Sequence, residues 1–149
     1  MRVFDIQLVL GTLVIIASVI FHVAALVGLA RFLRRIDPRL PFPGSMFHTM
    51  LVLGLAMLVI IGIHTIEAWG WAAIYLRLGE FEEFEDALYF SVVTATTLGY
   101  GDITLSDSWR ILATFEAMGG LILFGGSTAF LLGLMRRIFG GNSDADGSA

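Results

Sequence analysis

The seven residues Thr96-Thr97-Leu98-Gly99-Tyr100-Gly101-Asp102 are the part of this 149-residue chain whose types and order suggest a chemistry of their own. Gly99 and Gly101 take positive φ at little steric cost, so the backbone from Thr97 to Gly101 can alternate between conformations that a Cβ resists. The carbonyl oxygens of Thr97, Leu98, Gly99 and Tyr100 can then all face one way. A ring of such oxygens, supplied by several copies of the chain, can replace the hydration shell of a dehydrating monovalent cation while Leu98 and Tyr100 pack away from the axis. A lone Gly-Tyr-Gly is equally an ordinary turn. The ordered seven residues between two hydrophobic segments are what favour ion binding.

His64, Glu67 and Glu116 lie inside apolar runs, where ionisable groups are functional hypotheses by default. His64 and Glu67 are three apart and share a helix face. Counting inward from Tyr75 at 1.5 Å per residue puts Glu67 about 12 Å and His64 about 16 Å down, and Glu116 is roughly 10 Å below Trp109. These depths allow the three to meet as a hydrogen-bonded clasp around the 97–101 segment.

Such a segment needs elements that hold it at membrane depth, and the composition supplies them. Hydrophobic residues make up 57% of the chain, which marks a membrane protein. There is no cysteine, so disulfide and thiolate chemistry are excluded. A net charge of −4 argues against a nucleic-acid partner. An apolar run from Ile6 to Ala30 is long enough to cross a hydrocarbon core that needs about 20 residues. Arg2 precedes it, while Arg31, Arg34, Arg35 and Arg39 follow, so the amino terminus is expected outside and the loop inside the cell membrane. With no arginine between Val3 and Ala30, these side chains read as anchors rather than as a voltage sensor.

Pro38, Pro41 and Pro43 break the helix, and Ser45 is a candidate cap for a second span from Met46 to Leu76, with Trp69, Trp71 and Tyr75 as an outer aromatic belt. Acids from Glu80 to Asp86 support a short helix over residues 84–96, too short to span, which enters and returns through the 97–101 segment. A third span runs from Ser106 to Met135, with Ser106 or Asp107 as cap and Arg136 and Arg137 holding the carboxyl end inside. The tail over residues 140–149 has the composition of a disordered segment.

From Glu83 to about Leu132 the chain resembles the potassium-channel pore family, whose filter carries Thr-Val-Gly-Tyr-Gly; here the second position is Leu98. The resemblance implies an all-α membrane protein with three transmembrane helices, a re-entrant pore helix and filter loop between the second and third, and assembly as a homotetramer. It implies K+ as the permeant ion, no cofactor, and no partners beyond lipid, K+ and other copies of the chain. Residues 1–45 form an extra amino-terminal unit and residues 46–139 the pore domain. Leu121, Phe124 and Thr128 are implied to line the cavity. Gly120, which matches the family's hinge if one residue is deleted after Trp109, and Gly125 are candidate gating hinges; close packing is the competing use of these glycines. Many members have a pore-helix glutamate four residues before the first filter threonine to bond the aspartate behind the filter. Val93 stands there, so Asp102 needs another partner and Tyr89 is the candidate, with Thr96 as a further filter support.

Other classes remain. A weakly selective cation channel, or an assembly subunit that does not conduct, shares the same fold. An intramembrane metalloenzyme drawing on His22, His48, His64, Glu67 and Glu116 is disfavoured by spacing: one His-x-x-Glu pair is half of a di-iron set, and His22 and His48 are expected toward the cytoplasmic side.

Overall fold

The computed structural model describes residues 3–36 and 46–139. The expectations for Arg2, Pro38, Arg39, Pro41, Pro43, Ser45 and the 140–149 tail lie outside the described residues. Four helices make up the described chain: α1 (Val3–Ile36), α2 (Met46–Arg77), α3 (Phe84–Ala95) and α4 (Arg110–Phe139). Helices α1, α2 and α4 are long and apolar enough to cross a membrane. At 1.5 Å per residue α3 is about 18 Å long, well short of a core about 30 Å thick.

Two helix boundaries differ from the sequence expectation for physical reasons. Helix α1 continues past the apolar run to Ile36, because arginine is a good helix former and Arg34 and Arg35 complement the dipole of the last turn. Helix α4 begins at Arg110 rather than Ser106. The Ser106 carbonyl accepts from the Trp109 and Arg110 amides in a turn, while its own amide and hydroxyl donate to Glu80 at 2.6 and 2.7 Å. Ser106 therefore ties the loop after α2 to the approach to α4 and caps no helix.

The packing fixes the directions of the helices. Leu29 and Leu33 of α1 cluster with Val52, Ala56 and Ile60 of α2 and Ile138 of α4. At the other end Trp71 and Tyr75 of α2 pack with Phe90 of α3 and Leu112 of α4, against Leu10 and Val14 of α1. Hence α1 and α4 run parallel and α2 runs against both. Trp71 and Tyr75 are core residues, which corrects the aromatic-belt expectation; of the three, Trp69 alone is exposed. Their neighbours leave no lipid-facing surface on them.

Apolar contact by itself does not choose between these packings in lipid, whose tails are as apolar as leucine; close approach and polar links decide. Both operate between α1 and α4. A Cβ at Gly11 would strike the Phe115 ring, and the buried Gln7 Oε1 accepts from the amides of Ile111 and Leu112 at 3.1 and 3.2 Å. These amides belong to the first turn of α4, where intrahelical acceptors run out; the Leu112 amide also donates to the Trp109 carbonyl at 2.9 Å, and Gln7 serves Ile111. Thus a side chain of α1 caps α4.

Candidate ion-binding segment and its polar supports

Helix α3 stops at Thr96, and the chain then folds back on the carbonyls the helix leaves open. Thr97 N–H donates to Thr94 O at 2.9 Å, and Leu98 and Gly99 N–H both donate to Val93 O at 3.0 and 3.2 Å. Thr96 Oγ1 donates to Val92 O at 2.7 Å. Val93 thus holds the segment through its backbone carbonyl.

Positive φ occurs at Thr97 (60°), Gly99 (55°) and Gly101 (77°) and skips Leu98 and Tyr100. The handedness of the backbone therefore alternates residue by residue across 97–101. For the two glycines this is inexpensive. For the β-branched Thr97 the left-handed region costs about 1–2 kcal/mol, offset by the hydrogen bonds on either side. Leu98 and Tyr100 are 54% and 66% exposed on the single chain, which itself provides no packing that would cover them.

Behind the segment, the Tyr89 hydroxyl donates to Asp102 Oδ2 at 2.7 Å. This bond holds the Asp102 carboxyl below its ordinary range and pushes the Tyr89 hydroxyl up.

The expected clasp of His64, Glu67 and Glu116 is instead two separate clusters. Glu116 is fully buried between α2, α3 and α4; it accepts from Tyr75 Oη at 2.6 Å and lies 2.5 Å from Ser91 Oγ. Ser91 Oγ is also 2.9 Å from the Ala68 carbonyl, which can only accept. One hydroxyl proton cannot serve two acceptors, so both contacts are hydrogen bonds together only when Glu116 Oε1 carries a proton. Neither Ser91 nor Tyr75 was marked by the sequence as a partner of Glu116.

The second cluster joins three helices. Glu67 Oε1 lies 2.9 Å from His22 Nδ1 and Glu67 Oε2 lies 3.0 Å from His64 Nδ1, while Ser127 Oγ is 3.1 Å from the Nε2 atoms of both rings. His22 therefore belongs to this group, against the expectation that it lies away toward the cytoplasmic side. The His64 ring stacks on Phe124 with centroids 4.1 Å apart.

Leu121, Phe124 and Thr128 lie on one exposed face of α4. Gly120 is a site of close approach: a Cβ there would meet the backbone carbonyl of Ala95 at the end of α3. Gly125 has open space around it, so packing within the chain does not require a glycine there.

A sequence model described as an ion channel matches residues 61–137. No curated protein and no solved structure matches the chain. The matched stretch covers the second half of α2, all of α3, the 97–101 segment and nearly all of α4, which are the elements whose geometry has just been described. A match over more than half of the sequence, on a chain with three membrane-crossing helices, places this multi-pass membrane protein in the ion channel family.

Proposed function

We propose that the protein is a potassium-selective channel, a homotetramer that conducts dehydrated K+ through a four-fold ring of backbone carbonyls from Thr97, Leu98, Gly99, Tyr100 and Gly101. The observation that carries this reading is the alternation of φ at Thr97, Gly99 and Gly101. Alternating left- and right-handed residues turn successive carbonyls to the same side, which is the arrangement a dehydrated cation requires. One chain supplies one such segment, so a closed ring calls for several copies, and cyclic symmetry is the usual solution. The exposed Leu98 and Tyr100 side chains would find their cover in that assembly.

In this reading α3 is the re-entrant pore helix, irregular backbone at membrane depth being tolerated where it lines water or is buried in protein. Leu121, Phe124 and Thr128 face the inner cavity. Arg34 and Arg137 border one crevice at the shared end of α1 and α4, and the positive-inside bias makes that end cytoplasmic. The amino terminus is then outside and the carboxyl end inside. Selectivity against Na+ belongs to the same proposal, with Leu98 as the departure from the usual filter.

Substitution of Gly99 tests it. Gly99→Ala places a Cβ at φ 55°, where L-residues are strained. Cation flux into liposomes should fall at least about tenfold, roughly 1.4 kcal/mol of barrier, in a variant that keeps its oligomeric size. Unchanged flux through such an assembly would remove the 97–101 backbone from the conduction path.

A further inference from the structure

We propose that His22, His64 and Glu67 form a binding site for a divalent transition-metal ion of the zinc class, held between α1 and α2 and backed by Ser127 of α4. The proposal stands apart from the conduction reading and does not depend on it.

The composition of the site comes first. Two imidazoles and one carboxylate present donor atoms that all lie within 4.8 Å of one another. His2Glu is a ligand set that Zn2+ accepts, with a fourth position left for water. Hard cations such as Mg2+ and Ca2+ call for six or more oxygens, whereas this cluster has one carboxylate and two nitrogen donors. The side chains are 2%, 15% and 7% exposed for His22, His64 and Glu67, so water does not compete freely for them.

The hydrogen-bond network leaves one position open at Glu67. Both Nδ1 atoms face the Glu67 carboxylate and both Nε2 atoms face Ser127 Oγ. With the His22 proton on Nδ1 and the His64 proton on Nε2, His22 donates to Glu67 Oε1, Ser127 donates to His22 Nε2 and accepts from His64 Nε2, so all three contacts are hydrogen bonds. The His64 Nδ1 lone pair then faces the buried Glu67 Oε2 at 3.0 Å, and a positive ion between them makes that approach favourable. With both protons on Nε2, Ser127 Oγ accepts from both rings and both Nδ1 lone pairs are free for the ion, which is how metal-binding histidines coordinate through one nitrogen and donate from the other.

A proton is the competing cation: one doubly protonated ring would also complete the count. The geometry at Glu67 favours the metal. His64 Nδ1 comes within 3.0 Å of Glu67 Oε2, yet Oε2 is buried with no hydrogen-bond partner. A nitrogen that approaches an oxygen without aiming an N–H at it is what two ligands of a common ion do. His64 and Glu67 also line a cavity of about 280 Å³, which gives an ion a route to them. Once bound, the ion would join α1 to α2 directly and to α4 through Ser127 and the His64–Phe124 stack.

The test uses the tag-free, full-length protein in detergent, stripped with a chelator and dialysed against Zn2+. Saturable uptake of one Zn2+ per chain is expected. His22→Gln and Glu67→Gln should each weaken it by at least about tenfold, the effect that loss of even an outer-shell partner produces. His22→Cys should retain binding, because a thiolate is a zinc ligand; a purely structural histidine would not be replaced in this way. His48→Ala, about 24 Å along α2 from His64, should leave uptake unchanged. Absence of saturable uptake in the wild-type protein, or equal uptake by wild type, His22→Gln and Glu67→Gln, would overturn the site and leave a proton as the cation. Should His22→Gln lose its oligomeric size, the comparison of His22→Cys with Glu67→Gln decides in the same terms.

Discussion

Ser91 Oγ on α3 lies 2.5 Å from Glu116 Oε1 on α4, in a place from which solvent is absent, and the same hydroxyl reaches the Ala68 carbonyl of α2. The proton count there has a testable consequence. A glutamine amide at position 116 donates to Ser91 and still accepts from Tyr75, so Glu116→Gln should change stability by less than about 1 kcal/mol. Ser91→Ala and Tyr75→Phe each remove an interhelical bond and should cost about 0.5–2 kcal/mol, the range found for such bonds in membranes. Thermal unfolding of the three variants in detergent checks the order. Loss of stability in Glu116→Gln larger than in Ser91→Ala would contradict the protonated arrangement.

Gly120 and Gly125 should respond differently to the same change. Gly120→Ala drives a methyl into the Ala95 carbonyl and should destabilise by about 1–3 kcal/mol, as overpacking does, and it should disturb flux by displacing the end of α3. Gly125→Ala meets open space in the chain and replaces a poor helix former, so the folded chain should gain up to about 1 kcal/mol. Paired unfolding and flux measurements separate packing at Gly120 from hinge motion. Lost flux with full stability in Gly120→Ala would favour the hinge.

Removal of the α1 cap should loosen the start of α4. Gln7→Ala leaves the Ile111 amide without its acceptor and the Leu112 amide with the Trp109 carbonyl alone, at a cost of about 1 kcal/mol. Hydrogen exchange at Ile111 should speed up by about tenfold or more, while amides near Leu123 stay slow. Unchanged exchange at Ile111 would show that the cap contributes nothing.

Acid should act on the Tyr89–Asp102 bond in a definite direction. The carboxyl is held below its ordinary value of 3.8 by the Tyr89 hydroxyl, so the folded protein binds fewer protons there than the unfolded one. The bond's contribution is complete above that ordinary value and disappears as pH falls through the depressed folded one. In Tyr89→Phe the folded value should move back up toward 3.8, so that acid inactivation of flux begins at higher pH. Identical acid limbs in wild type and Tyr89→Phe would remove this bond from the account.

The parts that could be read from sequence are those fixed by local order. Seven residues specified the alternating segment, the acids before Phe84 marked the start of α3, and length with hydropathy marked the spans. Which side chains meet across helices was less accessible, and Glu116 shows why. Counting 1.5 Å per residue gives depth but not rotation about the helix axis, so it does not reveal that Glu116 meets Tyr75 and Ser91 rather than His64 and Glu67. A helix that is apolar on every side has no periodic stripe to announce its buried face. His22, Gln7, Ser91 and Ser127 are therefore visible as polar residues in apolar runs, but their partners depend on packing. Ser106 failed for another reason: a good capping residue was drawn to Glu80, 26 positions earlier in the chain.

The most direct test of the central proposal is cation flux through purified protein in liposomes under matched K+ and Na+ gradients, with and without barium. K+ flux far above Na+ flux, stopped by barium and cut at least about tenfold in Gly99→Ala, is the predicted result. Equal K+ and Na+ flux, or K+ flux unchanged in Gly99→Ala, would contradict selection by the Thr97–Gly101 carbonyls.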